Sequence, residues 1–132
     1  MTKTNFEQYS DLNIEFFERA KISLLDPLGL SLAEDVKWLK LNEKWNSLKF
    51  PLVIGGKGKP ILLLHGFDSS FLEFRRIYKS LKRNFQVIVP DQLGFGFSPR
   101  CATNEYNSSK IISHLIDLLK TLKITKNLKI IG

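Results

Sequence analysis

An α/β fold, with a mostly parallel sheet flanked by helices and preceded by a helical segment, is predicted by three features of the 132-residue sequence. From Pro60 onward, short apolar runs alternate with amphipathic helical stretches, as in a parallel sheet covered on both faces. Between Asp11 and Leu25 apolar residues recur instead at helical spacing. A hydrophobic content of 43%, with 11% aromatic residues, is enough to build a core and argues against disorder as the description of the chain.

The first helix is expected over Asp11–Leu25, with Ile14, Phe17 and Leu24 or Leu25 on its apolar side and Pro27 as its stop. A second short helix is expected to start at Ser31-Leu32-Ala33-Glu34, which has the Ser-x-x-Glu form of a capping box. Between Leu39 and Ile54 aromatic and β-branched residues around Trp45, Phe50 and Val53 point to one or two strands, and Gly55-Gly56-Lys57-Gly58 to a tight turn. Pro51 lacks the N–H that a ladder needs, so its strand is expected at a sheet edge. Ile61–Leu64 reads as the first buried strand. Ser70-Phe71-Leu72-Glu73 is a second capping box, followed by an apolar stripe of Phe71, Phe74, Tyr78 and Leu81. Phe85–Val89 is the next strand, Ile111, Leu115, Leu118, Leu119 and Leu122 define the next helix, and Leu128–Ile131 is the last strand.

The formal net charge is +7, but the basic residues are spread along the chain and are not interleaved with aromatics, so no specific nucleic-acid or membrane-surface signal emerges. No stretch approaches the roughly 20 apolar residues needed to cross a bilayer. A cytoplasmic location is the default expectation. The single cysteine, Cys101, has no partner for an internal disulfide and no nearby histidine, and is not expected to be reactive.

Two loops are expected on the edge of the sheet where open α/β folds place their ligands: His65-Gly66-Phe67-Asp68-Ser69-Ser70 and Asp91-Gln92-Leu93-Gly94-Phe95-Gly96-Phe97-Ser98. The glycines of the second loop lack the spacing and following helix of a dinucleotide fingerprint. The sequence therefore leads us to expect no cofactor and no metal.

Taken together and at this spacing, His65-Gly66-Phe67 after an apolar strand and Asp91-x-x-Gly94-x-Gly96-x-Ser98 after the next resemble the α/β-hydrolase family. The resemblance covers Pro60–Gly132 well and Phe50–Gly58 weakly. It implies an incomplete α/β-hydrolase core at 48–132, the N-terminal part of such a domain, behind an N-terminal helical extension at 1–47. It further implies that the Phe67 N–H is one donor to a developing oxyanion, a role in which a lost donor costs on the order of 3 kcal/mol of transition-state stabilisation. Phe67 and Asp68 are then expected to border the substrate, and Gly66 to let the backbone turn tightly enough to present the donor. His65, Asp91, Gly94 and Gly96 are expected to be structural: His65 as a hydrogen-bonded anchor, Asp91 as an Asx-type turn residue bonding local N–H groups, and the glycines as carriers of unusual backbone angles.

In the resembled family the catalytic order is nucleophile, acid, histidine, which argues against His65 as general base and Asp91 as triad acid. His114, on a helix near its apolar stripe, is expected to have a packed or half-exposed structural role. Ser98 has no flanking glycine pair and follows a loop, so it is not read as a nucleophile. The elbow Gly-x-Ser-x-Gly occurs nowhere in the 132 residues, and Gly132 stands where its first glycine would fall. The expectation is a truncated hydrolase-like chain, inactive alone, whose complete relatives would cleave an ester or similar small substrate by acyl transfer. The alternative is a non-catalytic binding or interaction fragment, with self-association through the exposed strand 128–131.

Overall fold

The computed structural model of the chain describes residues 5–100 and 105–132, so Cys101 lies outside the described residues. The elements run α1 (Asn5–Ile22), α2 (Pro27–Ala33), β1 (Val36–Lys40), a 3-10 turn (Glu43–Trp45), β2 (Lys49–Gly55), β3 (Lys59–Leu63), a second 3-10 turn (Phe71–Phe74), α3 (Arg75–Leu81), β4 (Phe85–Pro90), α4 (Ser108–Thr121) and β5 (Lys129–Ile131). The strands form one sheet in the order β1-β2-β4-β3-β5. β2 is antiparallel to both its neighbours, and β3 is parallel to both β4 and β5. Four strands therefore share one direction and β2 alone opposes them, so the sheet is mostly parallel as expected.

Its two faces are filled by different elements because successive side chains of a strand point opposite ways. Ile61, Leu63, Val87 and Val89 face a cluster with Phe17 of α1, Leu32 and Ala33 of α2 and Tyr78 of α3. Leu62 and Ile88 face the other cluster, with Trp45, Phe50 and Leu118 of α4. Burial on both sides is why the central strands read as continuous apolar runs.

Four sequence expectations are corrected. The α2 start is at Asp26-Pro27 and not at Ser31: Asp26 Oδ1 accepts from the Leu28 N–H at 2.9 Å, and Pro27 occupies the first turn, where its missing N–H costs nothing. Ser31 and Glu34 sit at the helix end. α1 ends at Ile22 and not at Leu25, and of the two alternatives Leu24 packs against the core while Leu25 is exposed. The segment 1–47 is not only helical, since it supplies β1 to the sheet.

Pro51 supplies the fourth correction. Its strand is interior, lying between β1 and β4, and β1 takes the edge. The Asp91 N–H donates to the Pro51 carbonyl at 3.3 Å, but Pro51 has no N–H to return to the Asp91 carbonyl. The Ser98 hydroxyl donates to that carbonyl instead, at 2.7 Å. A side chain from the following loop thus replaces the ladder bond that proline cannot make, which is how an interior strand tolerates it.

Candidate active site

The loops after β3 and β4 meet at the C-terminal edge of the sheet, as the sequence predicts. They are bound to one another at several points. Nε2 of His65 accepts from the Gln92 N–H at 3.0 Å, and the Gln92 side-chain amide donates to the His65 carbonyl. Nδ1 of His65 lies 2.9 Å from the Gly66 carbonyl. An accepting Nε2 leaves the proton on Nδ1, so the ring is neutral and donates to Gly66. The 4.0 Å approach of Nε2 to Asp91 is therefore not an ion pair. Both ring nitrogens are occupied and the residue is buried, which makes His65 the expected anchor.

Anchoring the Gly66 carbonyl has a consequence for the next residue. In a planar peptide the C=O and N–H point in opposite directions, so the His65 bond also fixes where the Phe67 N–H points. Among the described residues, that N–H donates to no protein acceptor. Phe67 is 90% exposed, and its ring meets Phe95 edge-on at 5.4 Å between ring centroids. A cavity of about 620 Å³ opens here, lined among others by His65, Gly66, Phe67, Phe95, Tyr106 and Ile111.

The loop departs from the expectation at three residues. Gly66 does not adopt a positive φ, and a Cβ on it would meet open space, so the turn does not depend on glycine there. The left-handed residue is Asp68, at φ 55°, a conformation that Asp tolerates better than most. Asp68 is exposed and is not among the residues lining the cavity. Glu73, read as the reciprocal half of a capping box, instead accepts from the Gly66 N–H at 3.0 Å. That bond is the main reason its carboxyl is held below the usual range. Only Ser70 caps, accepting from the Leu72 N–H at 3.2 Å, and the first turn is 3-10.

In the second loop, Asp91 is buried and its carboxylate spans two segments. Oδ1 accepts from the Phe71 N–H at 2.6 Å and Oδ2 from the Phe97 N–H at 2.7 Å. The expected Asx-type local turn is thus corrected: one partner lies 20 residues back. Burial pushes the Asp91 carboxyl up to about 7 against the opposing pull of the Phe97 and Phe71 N–H groups. Gly94 and Gly96 have positive φ as expected, and a Cβ on Gly96 would collide with the Asp91 carboxylate. His114 is packed far from these loops in sequence, its ring 5.2 Å from Trp45 and 4.4 Å from Phe50.

Sequence reasoning missed Gln92, Glu73, Phe95 and Tyr106 as site residues. Gln92 occupies a variable slot of the second motif, and Glu73 was absorbed by a local capping pattern. No local signal marks Tyr106, which reaches the site only because α4 starts beside it. Among the described residues no three His, Cys, Asp or Glu side chains are grouped to hold a metal ion, and no helix is long and apolar enough to cross a membrane.

The sequence profile of the alpha/beta hydrolase fold family matches residues 59–132. A 2-hydroxymuconate semialdehyde hydrolase from Pseudomonas sp. (strain CF600) is 33% identical over 72 residues, covering 52% of this chain and 25% of its own. Lipase 1 of Psychrobacter immobilis is 35% identical over 75 residues, covering 57% and 23% respectively. A candidate lipase from Acinetobacter baumannii AYE has a similar structure, with a TM-score of 0.68 over 88% of this chain and 37% of that one. At 19% identity, that likeness is one of fold. This chain spans about a quarter of the length of the curated relatives it matches.

Proposed function

The chain belongs to the alpha/beta hydrolase fold family, and on that premise we propose that it supplies the oxyanion loop and one pocket wall of a hydrolase that cleaves an ester or similar small substrate by acyl transfer. The observation that carries the proposal is the Gly66–Phe67 peptide. Its carbonyl is held by His65, its N–H has no protein acceptor among the described residues, and Gly66 and Phe67 both line the cavity. A donor fixed before the reaction stabilises developing charge without reorganising, which is what an oxyanion requires. Phe67 and Phe95 then offer an apolar wall to the substrate. Asp68 contributes the turn. The hydrolase and lipase relatives in sequence support a reaction of this class.

The 132 residues contain no Gly-x-Ser-x-Gly elbow, and His65 has both nitrogens engaged, so the isolated chain is proposed to lack triad-dependent turnover. Assay of the chain with a p-nitrophenyl ester tests this. Turnover above background that survives Phe67→Pro, which deletes the donor, would overturn both the inactivity and the donor assignment. In a polypeptide that also carries a nucleophile-bearing half, Phe67→Pro should lower kcat by about 100-fold.

A second reading, self-association with another copy of this chain, is favoured by β5. It lies at the sheet edge, and its Ile130 and Ile131 are 61% and 46% exposed. Size-exclusion chromatography with Ile130→Lys decides it: a concentration-dependent dimer lost in the variant supports association, and a monomer at all concentrations ends it.

A further inference from the structure

The helix α1 lies outside the residues that match the family profile, yet it reaches the candidate site. Ser10, Asn13 and Phe17 share one face of it, at three- and four-residue spacing. Ser10 Oγ accepts from the Lys49 N–H at 2.9 Å, which ties the helix to the start of β2. Asn13 Nδ2 donates to the Phe97 carbonyl at 2.9 Å. Phe17, buried, meets Phe97 at 5.1 Å and Phe71 at 6.1 Å between ring centroids, and Phe71 and Phe97 stack on each other at 5.8 Å.

Phe71 and Phe97 are also the two residues whose N–H groups converge on Asp91. One follows the first site loop and the other ends the second. Their backbones are drawn together from within by one carboxylate, and their rings are held from outside by one helix. We infer that α1 is a brace for the site, with Asn13 and Phe17 as positioning residues that fix the second loop against the first. This inference rests on the hydrolase reading for its functional meaning. The two loops also touch through Phe95, which packs against both His65 and Phe67, so a shift of the second loop is passed to the proposed donor.

The test is amide hydrogen exchange by NMR on the 132-residue chain and two variants. Asn13→Asp keeps the side-chain shape and loses the donor, and Phe17→Leu removes the ring contacts. In both, exchange at the Phe71 and Phe97 amides should rise at least tenfold relative to the Val87 and Val89 amides of β4, and the Phe67 amide resonance should move. A uniform rise across loops and β4 would mean that α1 only adds global stability, and unchanged loop exchange would mean that it does not hold the loops. Either result overturns the brace. Should Phe17→Leu fail to fold, Asn13→Asp still decides the matter. The exchange data stand without any turnover, whereas the ester assay decides the hydrolase reading, so the two failures are distinguishable.

Discussion

Asp91 and His114 are both sealed from solvent, each beside one of the two core clusters, and they are treated in opposite ways. Asp91 has both carboxylate oxygens paired to N–H groups and its carbonyl paired to Ser98. Among the described residues neither ring nitrogen of His114 has a hydrogen-bond partner, and the ring lies among aromatic rings. The satisfied group joins two loops at the candidate site. The unsatisfied one serves as a flat packing surface under α4, where its polarity is a cost. A buried polar residue near a site therefore need not be chemical: its partners decide what it does.

The largest effect that would break this comparison is expected from Asp91→Ala. It would orphan the Phe71 and Phe97 N–H groups and leave a void, so unfolding in urea should show a loss of about 3–5 kcal/mol. A loss under 1 kcal/mol would mean that the clasp is incidental.

The pH dependence sharpens the contrast, because the two groups act with opposite signs. Burial lowers His114 from 6.5 to about 4, so its contribution is present above pH 6.5 and is lost as the pH falls towards 4, by on the order of 3 kcal/mol. Asp91 is raised from 3.8 to about 7, so its contribution is present below pH 4 and is lost as the pH rises through 7, by a similar order. In the native chain the two slopes oppose each other between pH 4 and 6.5. His114→Leu should remove one of them, leaving a protein that gains stability on acidification relative to the native chain. Denaturant midpoints measured across that range check it, and parallel pH profiles for the two proteins would contradict the assignment.

Two glycine substitutions extend the comparison to the loops at smaller scale. Gly96→Ala places a Cβ against the Asp91 carboxylate at a positive φ, and should cost about 2 kcal/mol by thermal unfolding. Gly66→Ala meets open space at an ordinary φ and should change stability by no more than about 0.5 kcal/mol.

Most of the architecture from Pro60 onward was legible because its elements announce themselves locally. Ile61–Leu64 and Phe85–Val89 are apolar runs of strand length, and Phe71, Phe74, Tyr78 and Leu81 in one stretch and Ile111, Leu115 and Leu118 in another recur at helical spacing. The region before it was less legible. At Ser31 a capping pattern competed with Asp26-Pro27, and the stronger signal, a proline preorganised for the first helical turn, prevailed. At Pro51 the rule that proline avoids interior strands failed, because a hydroxyl from a loop 47 residues later completes the hydrogen bonding.

The candidate site divides in the same way. His65, Gly66, Phe67 and the Asp91–Ser98 motif could be placed at one sheet edge, since each loop follows a strand of a parallel sheet. What the sequence by itself determined was the α/β class, the two loops and the family they resemble, because those depend on periodicity and on residue types at fixed spacing. Only the tertiary structure decided that His65 bonds Gln92, that Glu73 leaves its own helix for Gly66, and that Asp91 joins Phe71 to Phe97 beneath α1. Those bonds connect segments that the chain brings together by folding, and a hydrogen bond depends on distance and direction, neither of which is written in the local pattern.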